Sequence, residues 1–330
     1  MMSKKREYTF DVLRVIAMIM VIIVHVSNLY SRYYGLISNS SYLLSLTFNT
    51  ISRISVPLFF MISGALLLDR SFNKDKYIKR ILRFLIVIVV WDIIYLVWEY
   101  LFFGTTYNKL YTLSFEPFRS HLWFLYTIIV LYIIQPLLKF LLDKLNSKQK
   151  MILFIIWFLM GTFSMFFPVI TEYYTTVCYI GYFILGKYLY DFITNNDLSK
   201  YNVILIIMTL LCFIASIFLN YSASVRLNMF YNSFFAYRTP YIILASILFF
   251  ILVYNLVHNK EHNKIIKLLS DLSFGVYLIH GIFLDITFKV FNYRDFNSLI
   301  GIPLFVFIIF IFSVLSVYLL RKSKLLKKVL

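Results

Sequence analysis

Residues 10–29 read FDVLRVIAMIMVIIVHVSNL, an apolar run that is long enough to cross a bilayer as a helix. Three ionisable residues interrupt it: Asp11, Arg14 and His25. Asp11 is three residues before Arg14, which is close enough for a local ion pair. A charged side chain near the middle of a membrane helix costs at least about 2.5 kcal/mol, so such residues face a protein interior or a water-filled cavity and mark functional sites. Arg14 and His25 are eleven residues apart, which puts both on one face of the helix, about 16 Å apart along its axis. This stretch predicts a first membrane helix that carries a cation near one membrane surface and an imidazole near the other. The alternative to a functional site is that Arg14 snorkels to the inner headgroups and His25 caps the outer interface.

The composition of the whole chain is that of a membrane protein. Of its 330 residues, 61% are hydrophobic and 14% are charged, and the mean hydropathy is +0.82. The net charge of +17 comes from short Lys and Arg clusters between apolar runs, so we expect no nucleic-acid partner. Cys178 and Cys212 lie inside apolar runs without the spacing of a metal site or a disulfide framework, and we expect no metal. Arg14 inside the first run argues against a removable signal peptide.

Apolar runs of membrane-spanning length recur about ten times. The predicted spans are 8–30, 42–68, 80–103, 121–142, 151–168, 174–190, 202–219, 239–257, 270–291 and 299–320. Alternate connections are rich in Lys and Arg: Lys4–Arg6, Arg70–Arg80, Lys139–Lys150, Lys260–Lys267 and Arg321–Lys328. The remaining connections are poor in them, with Arg32, Lys109, Arg119, Arg226, Lys289 and Arg294. Because basic flanks stay cytoplasmic, the pattern predicts an all-α integral membrane bundle of about ten helices with both termini cytoplasmic, and residues 1–330 form one transmembrane domain without a soluble domain.

The second span contains RISVPLFFMISG, residues 53–64. Pro57 predicts a kink, because proline cannot donate a backbone hydrogen bond within a helix. Arg53 lies too deep to reach the headgroups easily, so it needs an acidic or hydrogen-bonding partner; a buried ion pair with a purely structural role is the alternative to a functional site. Ser63 and Gly64 suit close packing of helices.

The third span begins with basic residues and continues with two acids. Arg80 and Arg83, together with Lys79, mark its cytoplasmic entry, and the alternative for them is a basic flank without a ligand. Asp92 and Glu99 share one face at a spacing of seven residues. Glu99 lies about 28 Å from the cytoplasmic end of the helix, level with His25, so either acid could orient the imidazole and raise its basicity.

Two further histidines lie in apolar surroundings. His121 opens the fourth span within HLWFL, residues 121–125, where it and Trp123 form either part of a site or part of an aromatic interface belt. His280 follows Tyr277 by three residues in the ninth span, as a second pathway residue or as half of a packed, hydrogen-bonded pair.

The order of these motifs along nearly the whole chain resembles the acyltransferase-3 family of bacterial inner-membrane proteins. Four stretches carry the resemblance: Arg14 to His25, Arg53 to Gly64, His121 to Leu125, and Leu272 to His280. The resemblance implies a bundle of about ten helices in a bacterial inner membrane. It also implies transfer of an acyl group, often acetyl, from cytoplasmic acyl-CoA to a hydroxyl of a cell-surface or lipid-linked glycan. His25 matches the family's essential histidine and Arg14 its paired arginine, and Arg80 and Arg83 match the basic pair at the CoA end.

From these residues we expect acyl-CoA as the donor substrate, with its phosphates held by Arg80, Arg83 and Lys79 and its thioester positioned by Arg14. His25 is the expected general base toward the acceptor hydroxyl, with Glu99 or Asp92 orienting it. A covalent acyl-enzyme on Ser27, Ser63 or Tyr277 stays open, as does an oligomeric state.

Two other functions fit the same features. In a transporter or flippase for a small polar solute or glycan, Arg14, Arg53 and His280 would form the pathway. In a non-enzymatic scaffold for envelope-polysaccharide assembly, Arg14 and His25 would be dispensable together.

Overall fold

The structure, a computed structural model, describes residues 7–104, 119–324 and 326–330. Within these ranges the fold is all helical and contains no β-strand. The α-helices are Tyr8–Ser31 (α1), Asn39–Ser52 (α2), Ser55–Leu67 (α3), Lys74–Phe103 (α4), Trp123–Lys144 (α5), Ser147–Phe163 (α6), Pro168–Asn195 (α7), Asn202–Leu227 (α8), Pro240–Val257 (α9), Lys264–Val290 (α10) and Ser298–Leu320 (α11).

Eight helical segments in the described residues are long and apolar enough to cross a membrane, with α2 and α3 counted together as one segment. By the length and composition of these helices, the chain is a multi-pass membrane protein, and the part that the structure describes is all helical. The predicted spans 151–168 and 174–190 are present as the helices α6 and α7, but these two are not among the eight. The count of ten passes and the cytoplasmic termini stay predictions, and Lys4–Arg6 and Lys109 lie outside the described residues.

The second predicted span is broken near its middle. The helix is interrupted at Arg53 and Ile54, and it resumes at Ser55. The cause is Pro57, whose ring in an unbroken helix would clash with the carbonyl group of Arg53, four residues earlier. The predicted kink is thus confirmed, but it lies upstream of Pro57, which occupies the first turn of α3 where its missing N–H is tolerated. The break leaves Arg53 at the end of α2, in the middle of a membrane span.

Helix α1 lies at the centre of the bundle, where it packs against α2, α3, α9, α10 and α11. The backbones of α3 and α7 approach each other closely at two glycines. A Cβ atom at Gly64 would lie 1.7 Å from the carbonyl oxygen of Phe183, and one at Gly186 would lie 2.0 Å from that of Met61. The predicted close packing at Gly64 is confirmed.

The outer surface of the bundle is strongly apolar. Leu101, Val203 and Phe218 have 73%, 68% and 65% of their surface exposed. Exposed apolar area on this scale is not tolerated by a monomer in water, whereas lipid tails match it. The surface therefore fits a bilayer environment. Cys178 and Cys212 are free buried thiols.

Candidate active site

Three histidines that are far apart in the sequence meet inside the bundle. His25 comes from α1, His121 lies in the 3-10 turn before α5, and His280 comes from α10. The ring centre of His280 lies 5.1 Å from that of His25 and 4.9 Å from that of His121. The ring centres of His25 and His121 are 6.2 Å apart. His121 and His280 are buried, while His25 is partly exposed. We call these residues the histidine cluster.

The hydrogen bonds of the cluster assign one tautomer. Nδ1 of His280 lies 2.6 Å from the carbonyl oxygen of Tyr277. Because a carbonyl oxygen only accepts hydrogen bonds, Nδ1 donates, and Nε2 of the neutral ring carries a lone pair. Nε2 of His280 and Nε2 of His121 are both buried without a hydrogen-bond partner in the part of the chain that the structure describes. Native proteins seldom leave such atoms unpaired, so the pair points to a site that acts on a polar ligand.

Aromatic side chains and one glycine hold the rings in place. The Tyr95 hydroxyl donates to the Leu278 carbonyl oxygen at 2.7 Å, and the Tyr277 hydroxyl donates to the carbonyl oxygen of His121. A Cβ atom at Gly281 would lie 2.8 Å from both His121 Cε1 and the Tyr95 hydroxyl oxygen. The close approach of α10 to His121 and to Tyr95 of α4 therefore depends on glycine at this position.

The acids of α4 are engaged by other groups. Glu99 pairs with Arg119 Nε at 2.7 Å, and a second nitrogen of Arg119 pairs with Asp285 at 2.6 Å. Asp92 accepts a hydrogen bond from the Tyr126 hydroxyl. Within the cluster, the ring nearest to His25 is that of His280. Because Glu99 and Asp92 contact other groups, the orientation of His25 by one of these carboxylates stays a prediction.

A cavity of about 130 Å³ lies on the α1 N-terminal side of the cluster, and we call it the Arg14 cavity. Its lining includes Arg14 and Val21 from α1, Ser63 from α3, Tyr132 from α5 and Tyr277 from α10. Along α1 it extends about 10 Å and stops about one turn before His25. The cavity therefore runs from the predicted cation toward the histidine cluster.

Arg14 is held at its end of this cavity. It pairs at 3.3 Å with Asp11, which is completely buried and accepts a hydrogen bond from Ser270 at 2.8 Å. The predicted local ion pair is confirmed. The Arg80 guanidinium lies 5.8 Å from the ring centre of Tyr132, which lines the same cavity.

The other predicted basic residues are further out. Lys79 and Arg83 are exposed on α4, whereas Arg80 is partly buried. Arg80 thus lies beside Tyr132, which lines the Arg14 cavity, and Lys79 and Arg83 lie on the surface of the same helix.

A second cavity of about 230 Å³ opens beside Arg53, and we call it the Arg53 cavity. Arg53 donates from Nε to Asn49 Oδ1 at 2.8 Å, and its guanidinium lies 4.4 Å from the ring centre of Phe235. The partner that the sequence required for Arg53 is therefore a neutral amide and an aromatic face. Arg238, Tyr179 and Tyr237 also line this cavity.

Trp123 packs beside the Arg53 cavity and is close in sequence to the histidine cluster. Its ring lies 5.0 Å from that of Tyr179 and 6.0 Å from that of Tyr237, and it follows His121 by two residues. His121, Leu122 and Leu125 of the motif HLWFL are buried, and a functional role for His121 and Trp123 stays a prediction.

Sequence reasoning missed several groups near the cluster and one in the Arg53 cavity. Tyr95 lies three residues after Asp92 and four before Glu99 on α4. This spacing puts the three side chains on one helix face, so Tyr95 could have been predicted to lie beside the two acids. Asp285 was detectable as an acid inside the apolar run of α10. Arg238 carried no signal, because it lies in an ordinary loop position before α9.

A family model described as an acyltransferase domain matches residues 7–322. The comparison with curated proteins gave no match, and neither did the comparison with solved structures. The matched range contains the histidine cluster and both cavities.

Proposed function

The chain belongs to the acyltransferase-3 family, and from this membership we propose that it moves an acyl group, such as acetyl, from acyl-CoA to a hydroxyl of an extracytoplasmic or lipid-linked glycan. The family and the membrane-like helices support a membrane acyltransferase. One observation supports the route in particular: the Arg14 cavity is lined by Arg14 at one end and by Tyr277 at the other, and the Tyr277 ring lies about 6 Å from the rings of His121 and His280.

The donor end of the proposed route is cationic. CoA carries several phosphates, and the planar donor groups of Arg suit phosphate oxygens. Arg14 and Arg80 would bind at the cavity entrance, and Lys79 and Arg83 would add charge at the surface. The slender pantetheine arm would then extend along the Arg14 cavity and bring its thioester toward Tyr277.

In the proposed reaction, His25 accepts the proton of the acceptor hydroxyl while the hydroxyl oxygen attacks the thioester carbonyl carbon. The new carbon–oxygen bond forms, the carbon–sulfur bond breaks, and the proton leaves with the CoA sulfur as free thiol. The partial exposure of His25 supports its contact with substrate, and the Nε2 lone pair of His280 makes that residue a candidate acceptor for the second ring proton of His25.

The test is release of free CoA from acetyl-CoA by the purified protein in detergent, with an envelope-glycan fraction as acceptor. His25→Ala is expected to lower the rate of CoA release by about 10²-fold or more, which is the usual contribution of a general base. The matched control is His262→Ala, because His262 is exposed and lies outside the cluster.

Thermal unfolding of each variant separates loss of activity from loss of folding. Acyl transfer at the wild-type rate by a folded His25→Ala protein would contradict the proposal. Movement of labelled solute into vesicles without CoA release would favour a transporter instead.

A further inference from the structure

We propose that the Arg53 cavity is the acceptor site and that it selects an anionic sugar, that is, a glycan unit carrying a carboxylate or a phosphate group. This inference rests on the proposed function, because it assigns the acceptor class for the same reaction. It is carried by two arginines whose charges are not balanced by acids, by the aromatic walls of the cavity, and by its connection to His25.

The charge of Arg53 has no acidic partner among the residues that the structure describes. Its contacts are the Asn49 side-chain oxygen and the rings of Phe235 and Tyr237, at 4.4 and 5.6 Å from the guanidinium carbon. Cations inside proteins are normally paired with carboxylates or bound anions, because removing a charge from water is costly. Arg53 is therefore set to receive an anion from outside the chain.

Arg238 is a second cation in the same cavity. Its Nε is buried without a hydrogen-bond partner, and no ion pair joins it to an acid within the described ranges. Two guanidinium groups that line one cavity repel each other, and an oxyanion between them would remove both the repulsion and the unmet donor. Carboxylate and phosphate oxygens are the acceptors that Arg binds best.

The remaining walls suit a sugar ring. Tyr179 and Tyr237 line the cavity, and Trp123 packs against both. Flat aromatic faces pack well against the C–H faces of sugars. Asn232 and Ser233, which also line the cavity, add donors and acceptors for hydroxyl groups. The combination of two cations, aromatic faces and polar groups favours a charged sugar over a simple inorganic ion.

The Arg53 cavity is linked to the reacting histidine. Asn49 accepts the hydrogen bond of Arg53, and its side-chain nitrogen lies 3.5 Å from the carbonyl oxygen of Val24, the residue before His25. An anion held by Arg53 and Arg238 would therefore fix a sugar beside the histidine cluster, with a neighbouring hydroxyl available to His25.

The experiment measures ligand-dependent thermal stability of the purified protein in detergent, without acyl-CoA. The probes are glucose 1-phosphate and glucuronate, and the comparison ligands are glucose and inorganic phosphate at matched ionic strength. Wild type is expected to gain stability from both charged sugars at concentrations where glucose and inorganic phosphate have little effect. Because specific ligands stabilise the folded state by mass action, the concentration dependence gives an apparent Kd.

Variants test the two arginines directly. Arg53→Gln and Arg238→Gln are each expected to weaken the binding of the charged sugars at least ten-fold. Arg238→Lys is expected to retain most of the stabilisation by these sugars. Arg226→Gln is the matched control, since Arg226 is exposed at the end of α8.

Equal stabilisation by glucose and by glucose 1-phosphate in wild type would overturn the inference, and so would equal stabilisation by inorganic phosphate. Unchanged binding in both Gln variants would also overturn it. Since this readout needs no acyl-CoA, binding of charged sugars without any CoA release would contradict the proposed reaction while upholding the anionic-sugar site.

Discussion

His280 reaches His121 because the next residue in α10 is a glycine. At Gly281 a side chain would meet His121 and Tyr95 at 2.8 Å, which real Cβ atoms do not tolerate without movement of a neighbour. The arrangement of the histidine cluster is thus set by the absence of one methyl group, at a point where neither ring can move freely.

Gly281→Ala is expected to reduce acyl transfer by about 10²-fold, because a displacement on the order of 1 Å in a catalytic group has that effect. The measurement is CoA release together with the thermal unfolding midpoint. Thr287→Ala, a small change further along α10, serves as the control. Full activity in Gly281→Ala would mean that the geometry of the cluster does not matter for the reaction.

At the scale of single residues, the intramembrane charges were the useful signals in the sequence. Arg14, His25 and His280 were singled out because charge is costly in lipid, and His121 because it opens an aromatic motif at the start of a span. The structure brings the three histidines together. What the sequence could not supply was the pairing between distant elements. The ion pair of Glu99 with Arg119 joins α4 to the segment before α5, and no spacing rule relates them.

Among the elements, the contact between α3 and α7 depends on two glycines with carbonyl oxygens directly opposite. Gly64→Val is expected to destabilise the protein by about 3 kcal/mol or more, because overpacking forces the helices apart. The thermal unfolding midpoint of the detergent-solubilised protein checks this, and Gly186→Val should behave alike. An unchanged midpoint in both variants would show that α3 and α7 do not pack as described.

The Arg14 cavity is built from α1, α3, α4, α5 and α10, so a bulky residue on one of them can close it. Ser273→Phe, at a lining position of α10, is expected to lower CoA release at least ten-fold while leaving the binding of charged sugars at the Arg53 cavity unchanged. Ser222→Phe, on an exposed position of α8, is the control. Normal turnover in Ser273→Phe would exclude the cavity as the donor route.

The elements themselves were largely predictable from hydropathy, because a bilayer fixes the length of apolar helices. The break in the second span was predictable from Pro57, but its position at Arg53 depends on where the proline ring meets the preceding turn. The α3–α7 contact was indicated by Ser63 and Gly64, whereas the identity of the partner helix was not.

For the whole molecule, the side of the membrane decides which substrate reaches which cavity. Asp11 near the start of α1 accepts a hydrogen bond from Ser270, and Arg321 after α11 donates to the Asp271 carbonyl oxygen. The start of α1 and the end of α11 thus lie at the same face of the bundle, which is the face of the Arg14 cavity.

Reporter fusions test the predicted orientation of this face. A fluorescent protein fused to the C-terminus is expected to fluoresce in the cytoplasm, and alkaline phosphatase at the same position is expected to be inactive, because the basic flanks stay inside. The same phosphatase fused after Leu227, at the end of α8, should be active. The reverse pattern would place the Arg14 cavity on the outer side and contradict the proposed entry of cytoplasmic acyl-CoA.

The central claim is that an acyl group enters at the Arg14 face and leaves on an acceptor at the other face, with His25 between them. The most direct measurement uses sealed proteoliposomes that enclose an envelope-glycan fraction, with acetyl-CoA labelled in the acetyl group supplied outside. Wild type is expected to transfer the label to the enclosed glycan and to release free CoA outside, and a folded His25→Ala protein is expected to do neither. Two results would contradict the account. In the first, the label reaches the glycan equally well with His25→Ala. In the second, the wild-type protein consumes acetyl-CoA but the label never leaves the outer compartment.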